Sequence, residues 1–208
     1  IEVERKFAPP TDLDLLHERI VANGGVKLGE KSFTDTYYDT ERCVLTRRDM
    51  WLRSRDGAWE LKLPVTSVPK RSGGENTIFR EVEGEAAVVE SLRMLLPDTI
   101  DAPMLDLLAA AKASPFAEIS TRRLKWKLGS ASIDADYATY GHSVLEIEIM
   151  CERPEEILGA EEQIVQVARL IGATPLTGNM GGKVETYIRR HCTSVCEQLI
   201  EAGILKDE

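Results

Sequence analysis

Ile1-Glu2-Val3-Glu4-Arg5-Lys6-Phe7 opens the chain with a strict alternation of apolar or aromatic and charged positions, broken only at Arg5. Successive side chains of an extended strand point to opposite faces, so Glu2, Glu4 and Lys6 share one face. The same parity recurs along the chain. Arg53 and Arg55 stand together in Trp51-Leu52-Arg53-Ser54-Arg55, Glu60 and Lys62 in Trp59-Glu60-Leu61-Lys62, and Glu81 and Glu83 in Phe79-Arg80-Glu81-Val82-Glu83. Further on come Arg123, Lys125 and Lys127 around Leu124 and Trp126, then Asp134 and Asp136 around Ala135, then Glu146 and Glu148 around Ile147. The opposite faces carry Leu52, Trp59, Leu61, Leu63, Val82, Leu124, Trp126, Leu128, Ile133, Leu145, Ile147 and Ile149.

Working outward, eight strand-like segments read at 2–7, 31–39, 50–55, 59–63, 77–83, 116–128, 132–137 and 143–151. Helical periodicity reads at 12–23, behind Thr11 as the expected N-cap, and at 85–96, 104–113, 155–171 and 182–202. Gly24 and Gly25 stop the first helix. Strands and helices in this order predict an α+β fold. The stretch 64–76, with Pro64, Pro69, Ser72, Gly73 and Gly74, reads as a long mobile loop between strands and not as a domain boundary. One domain over 1–208 is the expectation, since 208 residues fit a single core.

For any one strand, a sheet with helices on one side and solvent on the other accounts for the alternation. A solvated face, however, mixes Thr, Ser, Gln and Asn with its charges. Here the rows are almost wholly Glu, Asp, Lys and Arg, with carboxylates and cations segregated by strand. Closing the sheet turns those rows inward into a charged tunnel or cleft, a place for a polyanion bridged by a divalent metal. Three i, i+2 acidic pairs on separate strands would repel one another without a cation.

The balance of 26 Lys and Arg against 35 Asp and Glu gives a net charge of −9, which argues against nucleic acid as a partner. The longest apolar stretch, 105–111, falls far short of the roughly 18 to 20 residues that span a bilayer, so no membrane partner is expected. Cys43, Cys151, Cys192 and Cys196 form no CxxC pair, and Cys192 and Cys196 are spaced i, i+4 in a helical run. Free thiols in a reducing, cytoplasmic setting are the expectation. No basic segment followed by an apolar one marks a secretory leader. His17, His142 and His191 show no metal-binding spacing, and no Ser or Cys sits in a nucleophile motif, which points to direct attack by water.

Taken together in their order, ExExK at Glu2, Glu4 and Lys6, the Trp51 to Arg55 and Trp59 to Lys62 runs, Phe79-Arg80-Glu81, Asp134-Ala135-Asp136, Leu145 to Glu148 and Gly181-Gly182-Lys183 resemble the CYTH superfamily, the triphosphate tunnel metalloenzymes. The resemblance covers about residues 1–190, with a last helix to about 202. It implies an eight-stranded antiparallel β-barrel, a triphosphate tunnel with a charged lumen and helices packed outside. Within the superfamily, Phe33-Thr34-Asp35-Thr36-Tyr37-Tyr38-Asp39-Thr40 and the Trp before Leu-Arg-x-Arg are similar to the animal thiamine triphosphatases. That implies a monomeric, Mg²⁺-dependent hydrolase of thiamine triphosphate.

By this resemblance Glu2, Glu4, Asp134, Glu146 and Glu148 are the metal carboxylates, with Asp136 supporting them. Hard cations take oxygen ligands, which suits this set. Lys6, Arg53, Arg55, Lys62, Arg123 and Lys183 match phosphate-contacting positions, where guanidinium forks bind bidentately and lysines act as point charges. Glu81 resembles a carboxylate that orients neighbouring cations. Lys62 is placed to protonate the leaving diphosphate, and Lys6 to pair with Tyr37 and tune that phenol. Lys125 and Lys127 read as snorkelling at the barrel mouth. Trp51, inward by parity with Arg53 and Arg55, is placed to stack on a cationic thiazolium, whereas Trp59 and Trp126 fall on the apolar parity. Gly181-Gly182-Lys183 lacks the GxxxxGK[ST] pattern and reads as part of a turn at 178–182 entering the last helix. An inorganic or nucleoside triphosphatase on the same scaffold is the nearest enzymatic alternative. A non-catalytic thiamine-phosphate or polyphosphate binder is the other, although the number of carboxylates speaks against a simple anion binder.

Overall fold

The computed structural model describes residues 1–65, 76–96, 102–176 and 181–207. In chain order the elements are β1 (Glu2–Phe7), α1 (Leu13–Ala22), β2 (Val26–Thr40), β3 (Trp51–Arg55), β4 (Ala58–Pro64), β5 (Asn76–Glu83) and α2 (Glu85–Leu95). There follow α3 (Met104–Ala110), β6 (Ala113–Leu128), β7 (Ala131–Ala138), β8 (His142–Met150), α4 (Ile157–Ile171), α5 (Lys183–His191) and α6 (Thr193–Glu201). The strands form a closed antiparallel barrel in the order β1-β5-β4-β3-β2-β6-β7-β8, which leaves no unpaired sheet edge. The α+β fold expected from the order of strands and helices, and the eight-stranded antiparallel barrel that the resemblance implied, are the fold observed.

The register aligns the charged positions in rows across neighbouring strands. Lys6 lies opposite Glu146, and Glu4 opposite Glu148. Glu146 lies opposite Asp134, Arg123 opposite Asp136 and Lys125 opposite Asp134. Arg53 faces Tyr37 on one side and Glu60 on the other. A shift of one residue would carry each row to the apolar face, so burial of that face holds the register.

By its contacts the chain divides into two compact units, to both of which β2, β5 and β6 contribute. The first takes Ile1–Ser32, Val65–Phe79 and Thr121–Lys183. Its core joins Val3, Phe7, Trp126, Ile133, Leu145 and Ile147 of the strands to Leu16 and Ile20 of α1 and to Ile157, Ile164 and Ile171 of α4. The second takes Phe33–Pro64, Arg80–Ser120 and Val184–Glu208. There Leu52, Trp59 and Leu61 pack under Val88 and Leu92 of α2 and Met104 and Leu107 of α3. A separate cluster joins Ile188 of α5, Leu199 of α6 and Leu205, with Trp51 and Phe116 against it. Among the described residues no helix is long and apolar enough to cross a membrane.

Most boundaries shift by one to three residues from the sequence reading, and four differences have a tertiary or local reason. Asp12, not Thr11, caps α1: its carboxylate accepts from the N–H groups of Asp14 at 3.0 Å and Leu15 at 2.9 Å. The helix expected at 182–202 is two helices, broken at Cys192 (φ −129°, ψ 64°). The break lets Leu199 and Leu205 turn back onto Ile188, a burial that periodicity along one axis does not reveal. Cys192 therefore caps α6 instead of sitting inside a helix, and its Sγ lies 3.2 Å from the Phe116 carbonyl oxygen. The helix expected at 104–113 stops at Ala110, because Lys112 turns through a positive φ of 55° into β6. Strand β2 begins at Val26 rather than at Lys31, and Val26 and Leu28 there are exposed, so backbone pairing and not burial extends it. The long loop read at 64–76 and the turn read at 178–182 fall mostly on 66–75 and 177–180, outside the described residues.

Asp39 closes the connection from β2 to β3. Its carboxylate accepts from the N–H of Thr40 at 2.7 Å, of Leu45 at 3.1 Å and of Thr46 at 2.8 Å, and from the Thr46 hydroxyl at 2.8 Å. Asp39 is 3% exposed, so its removal strands these donors away from water. We expect Asp39→Ala to lose about 2 to 4 kcal/mol of stability, read as a lower urea midpoint with an unchanged slope. A midpoint equal to the parent's would show that the connection does not depend on this carboxylate.

Candidate functional site

The charged rows lie on the sheet face turned away from the helices, and in the first unit they form one connected cluster. Glu2 and Glu4 of β1 and Glu148 of β8 each offer a carboxylate oxygen within 4.8 Å of the others. The Lys6 ammonium contacts Glu4. Arg123 of β6 ties together three further carboxylates. Its Nε and Nη2 donate to Asp136 at 2.6 Å each, Nη1 to Asp134 at 2.5 Å, and Nη2 also to Glu146 at 2.9 Å. Lys183, the first residue of α5, contacts Asp136 and lies 3.4 Å from Glu146.

The five carboxylates read as metal ligands thus divide. Glu2, Glu4 and Glu148 come together, while Asp134 and Glu146 surround Arg123. Asp136, read as supporting them, is gripped by both Arg123 and Lys183. Lys125 corrects the expectation of a snorkelling side chain. Its ammonium sits 3.6 Å from Asp134 and 3.6 Å from Glu148, drawn in by two carboxylates on neighbouring strands. Lys127 reaches outward to the Ser130 carbonyl at 2.7 Å.

Six carboxylates, Glu2, Glu4, Asp134, Asp136, Glu146 and Glu148, face four cations, Lys6, Arg123, Lys125 and Lys183. Glu2, Glu4, Asp134, Asp136 and Glu146 are buried, so bulk water does little to screen these charges from one another. Burial and the neighbouring Glu4 push the Glu146 carboxyl up to about 7, against the pull of Arg123. Burial also raises Asp134. Burial opposes the charge on Arg123, yet Glu146 and Asp134 outweigh it and hold the guanidinium above its ordinary value. Asp134 Oδ1 is buried with no hydrogen-bond partner. An all-oxygen donor set and an orphaned carboxylate oxygen beside it fit a hard divalent cation, for which Glu2, Glu4 and Glu148 offer the converging ligands.

In the second unit the cations of β3 and β4 engage carboxylates directly. Arg55 binds Asp35 bidentately, Nε at 2.7 Å and Nη2 at 3.0 Å. Arg53 donates to Glu60 through Nε at 2.8 Å and Nη2 at 2.5 Å, and lies 3.8 Å from Asp35. Lys62 pairs with Glu81 at 3.0 Å, an arrangement in keeping with a carboxylate that orients a cation. Tyr37 is buried beside Arg53. Burial raises its pKa although Arg53 pulls it down, so the phenol keeps its proton. Arg53 thus neighbours Tyr37. Trp51 stands half-buried, its ring edge-on to Tyr37 at 6.4 Å between centroids and 90° between planes. Its indole Nε1 donates to Asp49 Oδ1 at 3.0 Å.

Asp35, Asp49 and Glu60 were not among the site residues read from the sequence. Asp35 carried a usable signal: in Phe33-Thr34-Asp35-Thr36-Tyr37-Tyr38-Asp39 it shares the parity of Tyr37, which the register places opposite Arg53. Glu60 carried the same signal with Lys62. Asp49 carried none, since it precedes the strand and depends on the turn that orients it.

Residues 1–178 match the model of the CYTH domain family. The chain is 30% identical to human thiamine-triphosphatase over 215 residues, 98% of this chain and 90% of the relative. It is also 30% identical to thiamine-triphosphatase of Macaca fascicularis, over 99% of this chain and 92% of the relative. Among solved structures, a protein of Pyrococcus horikoshii OT3 superposes with a TM-score of 0.63 at 18% identity, over 91% of this chain and 99% of that one. A Hippeastrum adenylyl cyclase homologue, described as having a dominant triphosphatase activity, superposes with a TM-score of 0.55 at 16% identity, over 91% of this chain and 96% of that one. At these identities the superpositions speak for the fold.

A carboxyl whose pKa is higher in the folded chain contributes stability that is full below its unfolded value and is lost as pH rises through its folded value. For Glu146 that window runs from 4.5 to about 7. Without added divalent cation, the melting temperature should therefore fall across this range, and Glu146→Gln should flatten the fall. Equal slopes in parent and variant would remove Glu146 as the source.

Proposed function

The chain belongs to the CYTH domain family, and we propose that it is a triphosphatase that hydrolyses thiamine triphosphate to thiamine diphosphate and phosphate with Mg²⁺ as cofactor. The observation that carries this reading is the buried cluster in which Glu2, Glu4 and Glu148 converge beside cations that hold further carboxylates. A permanent structural cluster of this kind gains little, because desolvation offsets the attraction of buried ion pairs. The same groups gain much if a cation and a polyanion complete the balance. Near-full-length identity to two thiamine-triphosphatases supports the substrate assignment.

Glu2, Glu4 and Glu148 would hold the metal, with Asp134 and Glu146 beside it. A bound divalent ion supplies charge neutralisation and orientation for phosphate oxygens. Arg53, Arg55, Arg123 and Lys183 hold carboxylates in bidentate or close contact, the geometry in which a guanidinium or ammonium donates to a phosphate oxygen instead. Water attacks the terminal phosphorus, the bond to the bridging oxygen of the diphosphate breaks, and the proton that the water loses leaves with the inorganic phosphate or passes to solvent. Lys62, oriented by Glu81, donates the proton that the leaving oxygen takes and is reprotonated from solvent. Tyr37, protonated beside Arg53, is a further donor to phosphate, and Lys6 supports Glu4. Trp51 stacks on the thiazolium ring, whose positive charge an indole face attracts.

Phosphate release should require Mg²⁺ and cease with EDTA, and kcat/KM should be higher for thiamine triphosphate than for inorganic triphosphate or ATP. A higher kcat/KM for inorganic triphosphate would replace the substrate assignment; binding without release would replace the enzyme. Lys62→Ala should lower the single-turnover rate by about 10²-fold or more. A variant that loses only affinity would not have lost its acid. Trp51→Ala should lose about 0.5 to 2 kcal/mol of the preference for thiamine triphosphate over inorganic triphosphate, measured as the ratio of the two kcat/KM values.

A further inference from the structure

Trp51 can discriminate a planar cation only if its indole plane is held where the cation arrives. We infer that Asp49 is the residue that holds it, a positioning residue for substrate selectivity. The inference rests on the reading that Trp51 stacks on the organic cation of the substrate.

Asp49 has φ 60° and ψ 30°, a left-handed conformation that Asp and Asn tolerate better than other non-glycine residues. It ends the single 3-10 turn at Thr46–Arg48, where its own N–H donates to the Thr46 carbonyl at 3.0 Å. That turn is tied to β2 by the Asp39 carboxylate through the N–H groups of Leu45 and Thr46. The next residue is fixed as well, with the Met50 N–H donating to the Leu45 carbonyl at 3.1 Å. A left-handed residue two positions before Trp51 turns its carboxylate forward along the chain, and the indole Nε1 donates to it at 3.0 Å.

The remaining contacts of the indole do not fix its rotation. The Tyr37 ring stands at right angles to it, and the apolar side chains near α5 and α6 pack against it without direction. The hydrogen bond at the ring N–H is directional and restricts rotation of the indole about its side-chain bonds. The backbone strain at Asp49 is local, and structure that over-determines such a residue is commonly found where a side chain must be aimed.

Three variants separate the hydrogen bond from the backbone. Asp49→Gly accepts the positive φ and removes the acceptor. Asp49→Asn accepts the positive φ and keeps an acceptor oxygen. Asp49→Ala removes the acceptor in a strained backbone and serves only as a stability comparison. The readouts are the ratio of kcat/KM for thiamine triphosphate to that for inorganic triphosphate, the split between KM and kcat, and the indole N–H resonance of Trp51, assigned with Trp51→Phe. In Asp49→Gly the ratio should fall about five- to tenfold, through KM for thiamine triphosphate, and the resonance should move. Asp49→Asn should retain most of both. A moved resonance with a ratio within about twofold of the parent would overturn the positioning role while Trp51 keeps its own. An unmoved resonance would overturn the hydrogen bond in solution. If Trp51→Ala itself leaves the ratio unchanged, the stacking reading beneath the inference fails.

Discussion

The grip of Arg123 on Asp134, Asp136 and Glu146 is the interaction on which the first unit depends. Three carboxylates brought to one side of adjacent strands, and buried there, would protonate or push the strands apart without a cation between them. A guanidinium is the side chain that suits the place, because its planar fork donates along several directions at once and keeps its charge under desolvation. Lys183 and Lys125 add point charges at the margins of the same group. Beside this group three further carboxylate oxygens converge, those of Glu2, Glu4 and Glu148.

The second unit solves a different problem with the same chemistry. Asp35 contacts both Arg53 and Arg55, Glu60 holds Arg53, and Glu81 holds Lys62. Such pairs keep Arg53, Arg55 and Lys62 extended along the row, ready to exchange a carboxylate for an anion of higher charge. Two carboxylates near this row have other tasks. Asp39 gathers the N–H groups of the turn before β3, and Asp49 takes the Trp51 indole N–H. Identical residue types on one side of a barrel thus serve as fold, as counter-ion and as support for an aromatic ring. Their partners, not their identity, separate the roles.

Much of this was legible because a strand has a period of two. The charged parity of Glu2, Glu4, Lys6, Arg53, Arg55, Lys62, Glu81, Arg123, Asp134, Glu146 and Glu148 could be read without coordinates, and the observed pairing keeps these residues on common rows. Asp35 escaped because its parity was not followed through a stretch rich in Thr and Tyr. Lys125 was misread because a long side chain at the end of an alternating run can turn toward solvent or toward a carboxylate, and the facing strand makes that choice. The break at Cys192 escaped because a single helical period fits both α5 and α6.

By itself the sequence determined the alternation, and with it α+β elements whose strands have a charged face and an apolar face, since the direction of a strand side chain follows from position alone; the barrel was implied by the resemblance of its motifs. It also determined which residue types were available for metal and phosphate. Only the tertiary structure decided how five candidate metal ligands divide into Glu2, Glu4 and Glu148 on one side and Asp134 and Glu146 around Arg123 on the other. It alone gave Tyr37 the neighbour Arg53 and aimed Trp51 through Asp49. The reason is physical: electrostatic and hydrogen-bond partners are set by distances between strands and turns remote in the chain, and periodicity carries no information about those distances.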